Sequence, residues 1–411
     1  MLLVMLGVVL LAPPEAISSY YSVLSASVVL ALLAAMAAWL RRLEAAAVAI
    51  PTALALLVAL MFASTLWSSA SWFTLRDSVT FLCLTIAAWL IVKHTSLQSI
   101  AVGVVGAGLL VLAASGVLLI VDPMLALERS AGSFEYDAFQ GIYANRNLFG
   151  LVLLGCIPAV LAVEIPGRGA LVWRALLLVT FVGAIAASRS TTSLIIAILV
   201  IIAAVAMGLA RRSRIGALAV AGAAIGAAIV AATNWTLVLS LFGKNSTLTG
   251  RVEIWAGLID VFRGSPVIGA GFLREWPGGS TQAMAVAERM NGVHFAHGHN
   301  ELLSWLAGLG VIGVILVLAV YASNYWAGWL VYRNRLIPAS AWLVLTMVMI
   351  NGRGLTETSE SSANGWFLFA LVAFASIRYV ETSGRRTPRM VAFPVMGKRR
   401  DQLAAVDPIA T

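Results

Sequence analysis

Charged residues are scarce in this sequence. They make up 11% of its 411 residues, against 61% hydrophobic residues, whereas soluble domains average about 25% charged residues. This composition excludes an ordinary soluble domain. The net charge of +9 does not indicate a nucleic-acid partner, because membrane proteins concentrate Lys and Arg on their cytoplasmic side.

Cysteine is nearly absent as well. Cys83 and Cys156 both lie in apolar runs without ligand-like neighbours, so no disulfide framework is expected. The N-terminal run LLVMLGVVLLAPP lacks the basic start and the small-x-small cleavage site of a signal peptide. We therefore predict that it is a short first span.

Long hydrophobic runs are what the sequence has in abundance. Apolar stretches of about 20 residues recur, and such a helix is long enough to cross the hydrocarbon core of a bilayer. The sequence predicts an all-α polytopic membrane protein. The twelve predicted spans are residues 2–12, 22–40, 45–63, 77–92, 98–121, 147–163, 171–187, 191–210, 215–232, 301–322, 337–350 and 365–379.

The distribution of charge between the two sides orients these spans. With both termini inside, 17 of the 27 Lys and Arg residues and five of the 18 acidic residues are cytoplasmic, giving +12 inside and −3 outside. Residues 1–379 would form the transmembrane domain and 380–411 a basic, disordered cytoplasmic tail. The longest external segment is 233–300. Its stretch GRVEIWAGLIDVF predicts a helix along the membrane surface, with one apolar face formed by Ile254, Trp255, Leu258, Ile259 and Phe262.

Four arginines fall at outer span ends or in the outer loop: Arg146, Arg189, Arg251 and Arg353. Guanidinium groups bind phosphate through paired hydrogen bonds, and helix N-termini favour anions. Together they predict a phosphate or diphosphate site at the outer face. The alternative is that each arginine anchors to lipid headgroups.

The stretch HFAHGHNELL contains His294, His297 and His299, three of the four histidines in the chain. A zinc site completed by Glu253 or Glu301 is one interpretation, and a purely structural helix cap is another. The catalytic interpretation favours His299, because it precedes the N-cap residue Asn300. There the positive end of the helix dipole would keep the ring neutral and able to accept a proton.

Two acidic residues follow in the last external loop. Glu357 and Glu360 would bind a sugar hydroxyl or pair with Arg353. Gly308, Gly310 and Gly313 would let the preceding helix approach its neighbours closely.

Several segments resemble the O-antigen ligase and polysaccharide polymerase superfamily. The segments are GIYANRNLFGLVLLGCIPAV, SRSTTSLIIAILV, GRVEIWAGLIDVFRGSPVIGAGF, HGHNELLSWLAGLGVIGVILV and RGLTETSESSANGWFLFALV, which together cover about residues 140–380. The resemblance implies a multi-span, metal-independent glycosyltransferase of the bacterial plasma membrane, without a cofactor. Its donor would be a glycan on undecaprenyl diphosphate at the outer face, among membrane lipids.

The resemblance also assigns roles to residues. Arg189 and Arg251 would hold the donor diphosphate, and His299 would be the catalytic histidine, with His297 as the neighbouring candidate. Substrate-binding residues are predicted at Arg146, His297, Asn300, Arg353 and Glu357.

The reaction implied is an inverting transfer to an acceptor hydroxyl. The acceptor stays open among lipid A core, a second lipid-linked repeat, a protein side chain and a wall polymer, so ligase and polymerase both fit. A transporter, or a protein that only binds lipid-linked glycan, is the alternative. A transporter should place charges or broken helices near the middle of the bilayer, whereas these charges lie at the outer rim.

Overall fold

The computed structural model describes residues 48–129, 136–143, 145–213, 250–334 and 339–384, with isolated positions between 215 and 222. The predicted spans 2–12 and 22–40, most of span 215–232, external residues 233–249 and the tail beyond 384 lie outside the described residues.

Helices dominate the described part of the chain. They are α1 (Thr52–Ala63), α2 (Ser71–His94), α3 (Leu97–Val121), α4 (Pro123–Ala126), α5 (Arg146–Ala162), α6 (Ala170–Ala187), α7 (Thr191–Ala210), α8 (Arg251–Gly264), α9 (Thr281–Arg289), α10 (Glu301–Arg333), α11 (Ala341–Gly354) and α12 (Ala363–Gly384). By length and composition, α2, α3, α6, α7, α10 and the first 18 residues of α12 are able to cross a membrane. The protein is thus helical and membrane-spanning, and the total of twelve spans stays a prediction.

Several predicted helix boundaries differ from those in the structure. Helix α2 begins at Ser71 rather than at 77, because its polar first turns are satisfied inside the protein, as where Thr74 Oγ1 donates to Ser68 Oγ at 2.7 Å. Helix α10 continues to Arg333 instead of ending at 322. Helix α12 continues to Gly384, so residues 380–384 are helical and not part of a tail.

The all-α prediction also missed a short hairpin. Strands β1 (Leu127–Arg129) and β2 (Tyr136–Phe139) pair antiparallel between α4 and α5. Three- and four-residue strands are too short to produce a recognisable alternation of apolar and polar residues.

Helices α2 and α12 form the centre of the bundle. Trp366 of α12 is fully buried, and its indole N–H donates to Phe81 O at 3.1 Å and to Thr85 Oγ1 at 2.9 Å, both in α2. The Phe81 and Trp366 rings lie 4.8 Å apart. This packing fixes the start of α12, and therefore the loop that precedes it.

Helix α10 is broken at Gly310, where φ is 63° and ψ is −161°. The backbone of residues 266–271 lies against the break, with Ala270 N donating to Ala307 O at 2.8 Å and Val311 N to Pro266 O at 2.9 Å. A Cβ atom at Gly310 would lie 2.4 Å from the Val267 carbonyl oxygen. The close approach expected at Gly310 is therefore an approach of two backbones, and it joins residues 266–271 to α10.

Two ends of the helical bundle are distinguished here. One end, here called the basic end, carries Arg211, whose guanidinium donates to Tyr332 O, and Arg378, which donates to Thr95 O at 2.8 Å. The opposite end, here called the site end, carries the hairpin, residues 250–300 and the loop 355–362. The orientation of these ends relative to a membrane stays a prediction.

Candidate active site

The candidate site forms where three segments meet at the site end. Glu357, in the loop between α11 and α12, accepts a hydrogen bond from His299 Nδ1 at 2.8 Å and another from Arg251 Nη2 at 2.5 Å. Arg251, the first residue of α8, also donates through Nη1 to Thr356 O at 2.5 Å. Three predicted site residues, separated by up to 106 positions, are therefore in direct contact.

The bond to Glu357 determines what the His299 ring can do. A carboxylate accepts the Nδ1 hydrogen, which leaves the lone pair on Nε2 for a proton from elsewhere. His299 also has a left-handed backbone with φ of 48°, as does Arg189 with φ of 52°. Non-glycine residues in this region are uncommon and often occur at functional sites.

Glu357 is ionised at neutral pH. Burial opposes its charge, but the hydrogen bond and charge of His299 and the charges of Arg251 and Arg353 outweigh burial and lower the pKa of Glu357 to about 2. The site thus contains a fixed carboxylate beside a histidine, which orients the ring and stabilises the imidazolium that forms when it accepts a proton.

His297 lies beside His299 in the site. The two rings lie 4.2 Å apart. Burial, followed by the charge of His299, lowers the pKa of His297 to about 4, despite the opposing charge of Glu357. His294 is exposed.

The lowered pKa of His297 predicts a loss of stability in mild acid. Between pH 6.5 and 4 the unfolded chain binds a proton at this residue that the folded chain does not, so folding stability falls as the pH falls. We expect the melting temperature in detergent to fall less over this interval in His297→Gln than in the wild type. Parallel curves for the two proteins would contradict this expectation.

Two other predicted residues mainly hold the site together. Asn300 caps α10 by accepting from Leu303 N at 3.0 Å, and its amide donates to Leu355 O at 3.1 Å. Arg353 is only 8% exposed and is attracted to Glu357 and Glu301. Glu357 is hydrogen-bonded to His299 and Arg251, and the charge of Arg353 also acts on this carboxylate.

Glu360 has a different environment from Glu357. It is fully buried and accepts hydrogen bonds from Trp305 Nε1 at 3.2 Å and from the Tyr321 hydroxyl. Burial, followed by the charge of Glu301, raises its pKa. Its predicted binding of a sugar hydroxyl would require solvent access, which the structure does not provide.

Arg146 and Arg189 belong to other segments of the site end. Arg146 begins α5, and its Nε is 3.7 Å from Glu128 Oε1, in β1. Arg189 is exposed in the turn between α6 and α7. That turn packs closely on α5, because a Cβ atom at Gly150 would lie 2.9 Å from Ser190 Cβ.

Helix α8 forms as predicted from its apolar face. Ile254 and Leu258 are buried, together with Val261, against α9 and its neighbours, whereas Ile259 is exposed. Most of that face is thus covered by the protein itself. Contact of the helix with the membrane surface stays a prediction.

Residues 176–318 match a family model described as O-antigen ligase. The chain is also 27% identical over 283 residues to "Exopolysaccharide production protein ExoQ" of Rhizobium meliloti (strain 1021), an alignment that covers 63% of this chain and 61% of that protein. The resemblance to the O-antigen ligase family is confirmed. The family match contains Arg189, Arg251 and His299 and ends before Glu357.

A metal site here would need a different carboxylate from those considered on the sequence. The potential ligand atoms of His297, His299 and Glu357 lie within 4.8 Å of one another, whereas Glu253 is exposed. Both Glu357 oxygens already accept hydrogen bonds, and the charges of Arg251 and Arg353 act on the same carboxylate. Adjacent cations disfavour a divalent metal and favour an anionic ligand.

Proposed function

We propose that this protein transfers or polymerises a glycan from an undecaprenyl-diphosphate-linked donor onto an acceptor hydroxyl at the outer face of the bacterial plasma membrane. The observation that carries the proposal is the contact of His299 with Glu357, beside Arg251 and Arg353, in a membrane protein that resembles O-antigen ligases. The name of the relative, an exopolysaccharide production protein, supports polysaccharide synthesis and fits both ligase and polymerase chemistry.

The proposed reaction is an inverting displacement. The acceptor oxygen forms a bond to the anomeric carbon as the bond from that carbon to the diphosphate oxygen breaks. The acceptor proton passes to His299 Nε2, since Nδ1 is bonded to Glu357. Negative charge develops on the departing lipid diphosphate, and preorganised arginines stabilise it. Arg251 and Arg189 supply this charge in the proposal, so no metal is required.

A transporter is the second candidate, and the break in α10 is the observation that favours it. Transporters use broken helices to bind substrate inside the membrane. Here, however, the backbone groups beside Gly310 are bonded to residues 266–271, so they are not free to coordinate a solute. The cluster around Glu357 favours the enzyme.

The proposal is tested by supplying purified protein in liposomes with lipid-linked glycan and an acceptor. We expect free undecaprenyl diphosphate and an extended or transferred glycan to appear together, with and without EDTA. A donor that stays intact with every acceptor class, combined with uptake of soluble glycan into the liposomes, would favour the transporter. Loss of transfer in EDTA, restored by zinc, would overturn metal independence.

The proposed orientation makes a separate prediction. Gly279 is exposed in the external segment and Arg168 is exposed in the loop between α5 and α6. In a background with Cys83 and Cys156 replaced by Ala, a membrane-impermeant maleimide should label Gly279→Cys in intact cells. Arg168→Cys should react only after permeabilisation. The opposite labelling pattern would mean that the site end faces the cytoplasm.

A further inference from the structure

Glu301 lies at the junction between the catalytic histidine segment and the loop that carries Glu357. Its carboxylate accepts hydrogen bonds from Ser359 N at 2.6 Å, from Ser361 N at 2.9 Å and from Ser361 Oγ at 2.9 Å. The residue is 3% exposed. A buried carboxylate is costly unless it is fully hydrogen-bonded, and these three bonds meet that requirement.

The loop is also anchored on either side of Glu357. Before it, Leu355 O accepts from the Asn300 amide at 3.1 Å. After it, Ser359 and Ser361 are bound to Glu301. Of the five positions from His299 to Leu303, three contact this loop: His299, Asn300 and Glu301. Leu303 N donates to the Asn300 side chain and so helps to hold it in place. Neither end of the loop can move independently of α10.

Glu301 thus connects the two partners of the His299–Glu357 pair. It follows His299 by two residues along the chain, and it holds the backbone two and four residues after Glu357. A shift of the loop relative to α10 would lengthen the 2.8 Å bond between His299 Nδ1 and Glu357 Oε2.

We propose that Glu301 is a positioning residue, whose carboxylate keeps Glu357 in register with His299 during glycan transfer. The inference rests on the proposed function. Glu301 itself contacts no substrate, because its oxygens are occupied by the loop. A Gln side chain would retain one acceptor oxygen but would place an amide NH₂ against a backbone N–H, which opens the junction.

The test is a double-mutant cycle with Glu301→Gln, Glu357→Gln and the combined variant. Misplacement of a catalytic group by about 1 Å can cost about 10²-fold in rate, so we expect Glu301→Gln to lower kcat by up to about that factor. The KM for the lipid-linked donor should stay within about twofold of the wild-type value. The combined variant should be no slower than Glu357→Gln alone, because the register no longer matters once the carboxylate is gone.

Asp77→Asn is the matched control. Asp77 is 1% exposed and likewise accepts a backbone N–H from the external segment, that of Arg274 at 2.9 Å, but it shares no partner with Glu301. The fold-loss in kcat caused by Asp77→Asn should multiply with the fold-loss caused by Glu357→Gln.

Ser361→Ala removes a single hydrogen bond from Glu301 and provides a milder variant if Glu301→Gln folds poorly. It should lose less activity and show the same non-additivity.

Each outcome of the cycle decides the proposal. Suppose that the fold-losses in kcat of Glu301→Gln and Ser361→Ala each multiply with that of Glu357→Gln, as the loss of Asp77→Asn does. Glu301 then only stabilises the fold, and the inference is wrong. If Glu357→Gln transfers glycan at the wild-type rate, the His299–Glu357 pair is not catalytic, and this inference fails with that part of the proposed function. If Glu357→Gln loses activity but the Glu301→Gln loss simply multiplies with it, this inference is overturned and the proposed function is not.

Discussion

Replacing His299 by Ala should reduce glycan transfer by about 10²–10⁴-fold, the usual range for a lost general base. Its Nε2 is the proton acceptor in the proposed reaction, and no other ring in the cluster is oriented by a carboxylate. Donor binding should remain nearly intact, since the diphosphate is assigned to arginines. The measurement is the rate of undecaprenyl diphosphate release, together with binding of the lipid-linked donor to each variant.

The other two histidines are the controls. His294→Ala should be mild, because His294 is exposed. His297→Ala should also be milder than His299→Ala, because the His297 ring lies tilted against the His299 ring, whereas the bond to Glu357 is made by His299. If His297→Ala loses most glycan transfer and His299→Ala loses little, the catalytic histidine is His297. Normal transfer in all three would mean that the histidines only cap and pack the start of α10.

The sequence predicted elements best where a single local property determines them. Hydropathy located the long apolar helices, and Asn300 was correctly identified as the cap of α10. The break at Gly310 was not predicted, because it depends on hydrogen bonds to residues 266–271, more than 35 positions earlier. A run such as AGLGVIGVILV has the same hydropathy whether its helix is continuous or interrupted.

The site was predicted only in part, because its residues can be selected from local sequence but their contacts cannot. Arg251, His299 and Glu357 were all selected from the sequence, but their mutual contact depends on the tertiary fold. The helix dipole suggested a neutral His299, because only the local chain entered that argument. The charge that acts most directly on this ring comes from Glu357, 58 residues later. Glu301 was considered as a zinc ligand, and its role as an anchor for the loop had no signal except its place after Asn300.

Arg251→Lys should be the second most damaging substitution. Arg251 bridges Thr356 O and Glu357 Oε1 with two different nitrogens, and a lysine ammonium cannot reproduce that planar fork. In the proposed reaction the same guanidinium also faces the charge that develops on the diphosphate. Removing one such preorganised donor typically costs about 10²–10³-fold in rate. We expect a loss of that order in kcat, measured as diphosphate release at saturating donor.

Arg189→Lys provides the comparison, because Arg189 is exposed in the turn between α6 and α7. In the proposed reaction it holds the donor diphosphate, so losing its fork should weaken transfer mainly through a higher KM for the donor. Arg251→Lys should act mainly on kcat, since it also disturbs the carboxylate that orients His299. If both variants raise KM equally and leave kcat unchanged, both arginines act in donor binding, and Arg251 does not contribute to orienting Glu357. Full activity in both variants would mean that the two arginines only anchor the protein to lipid headgroups, because a lysine serves that purpose equally well.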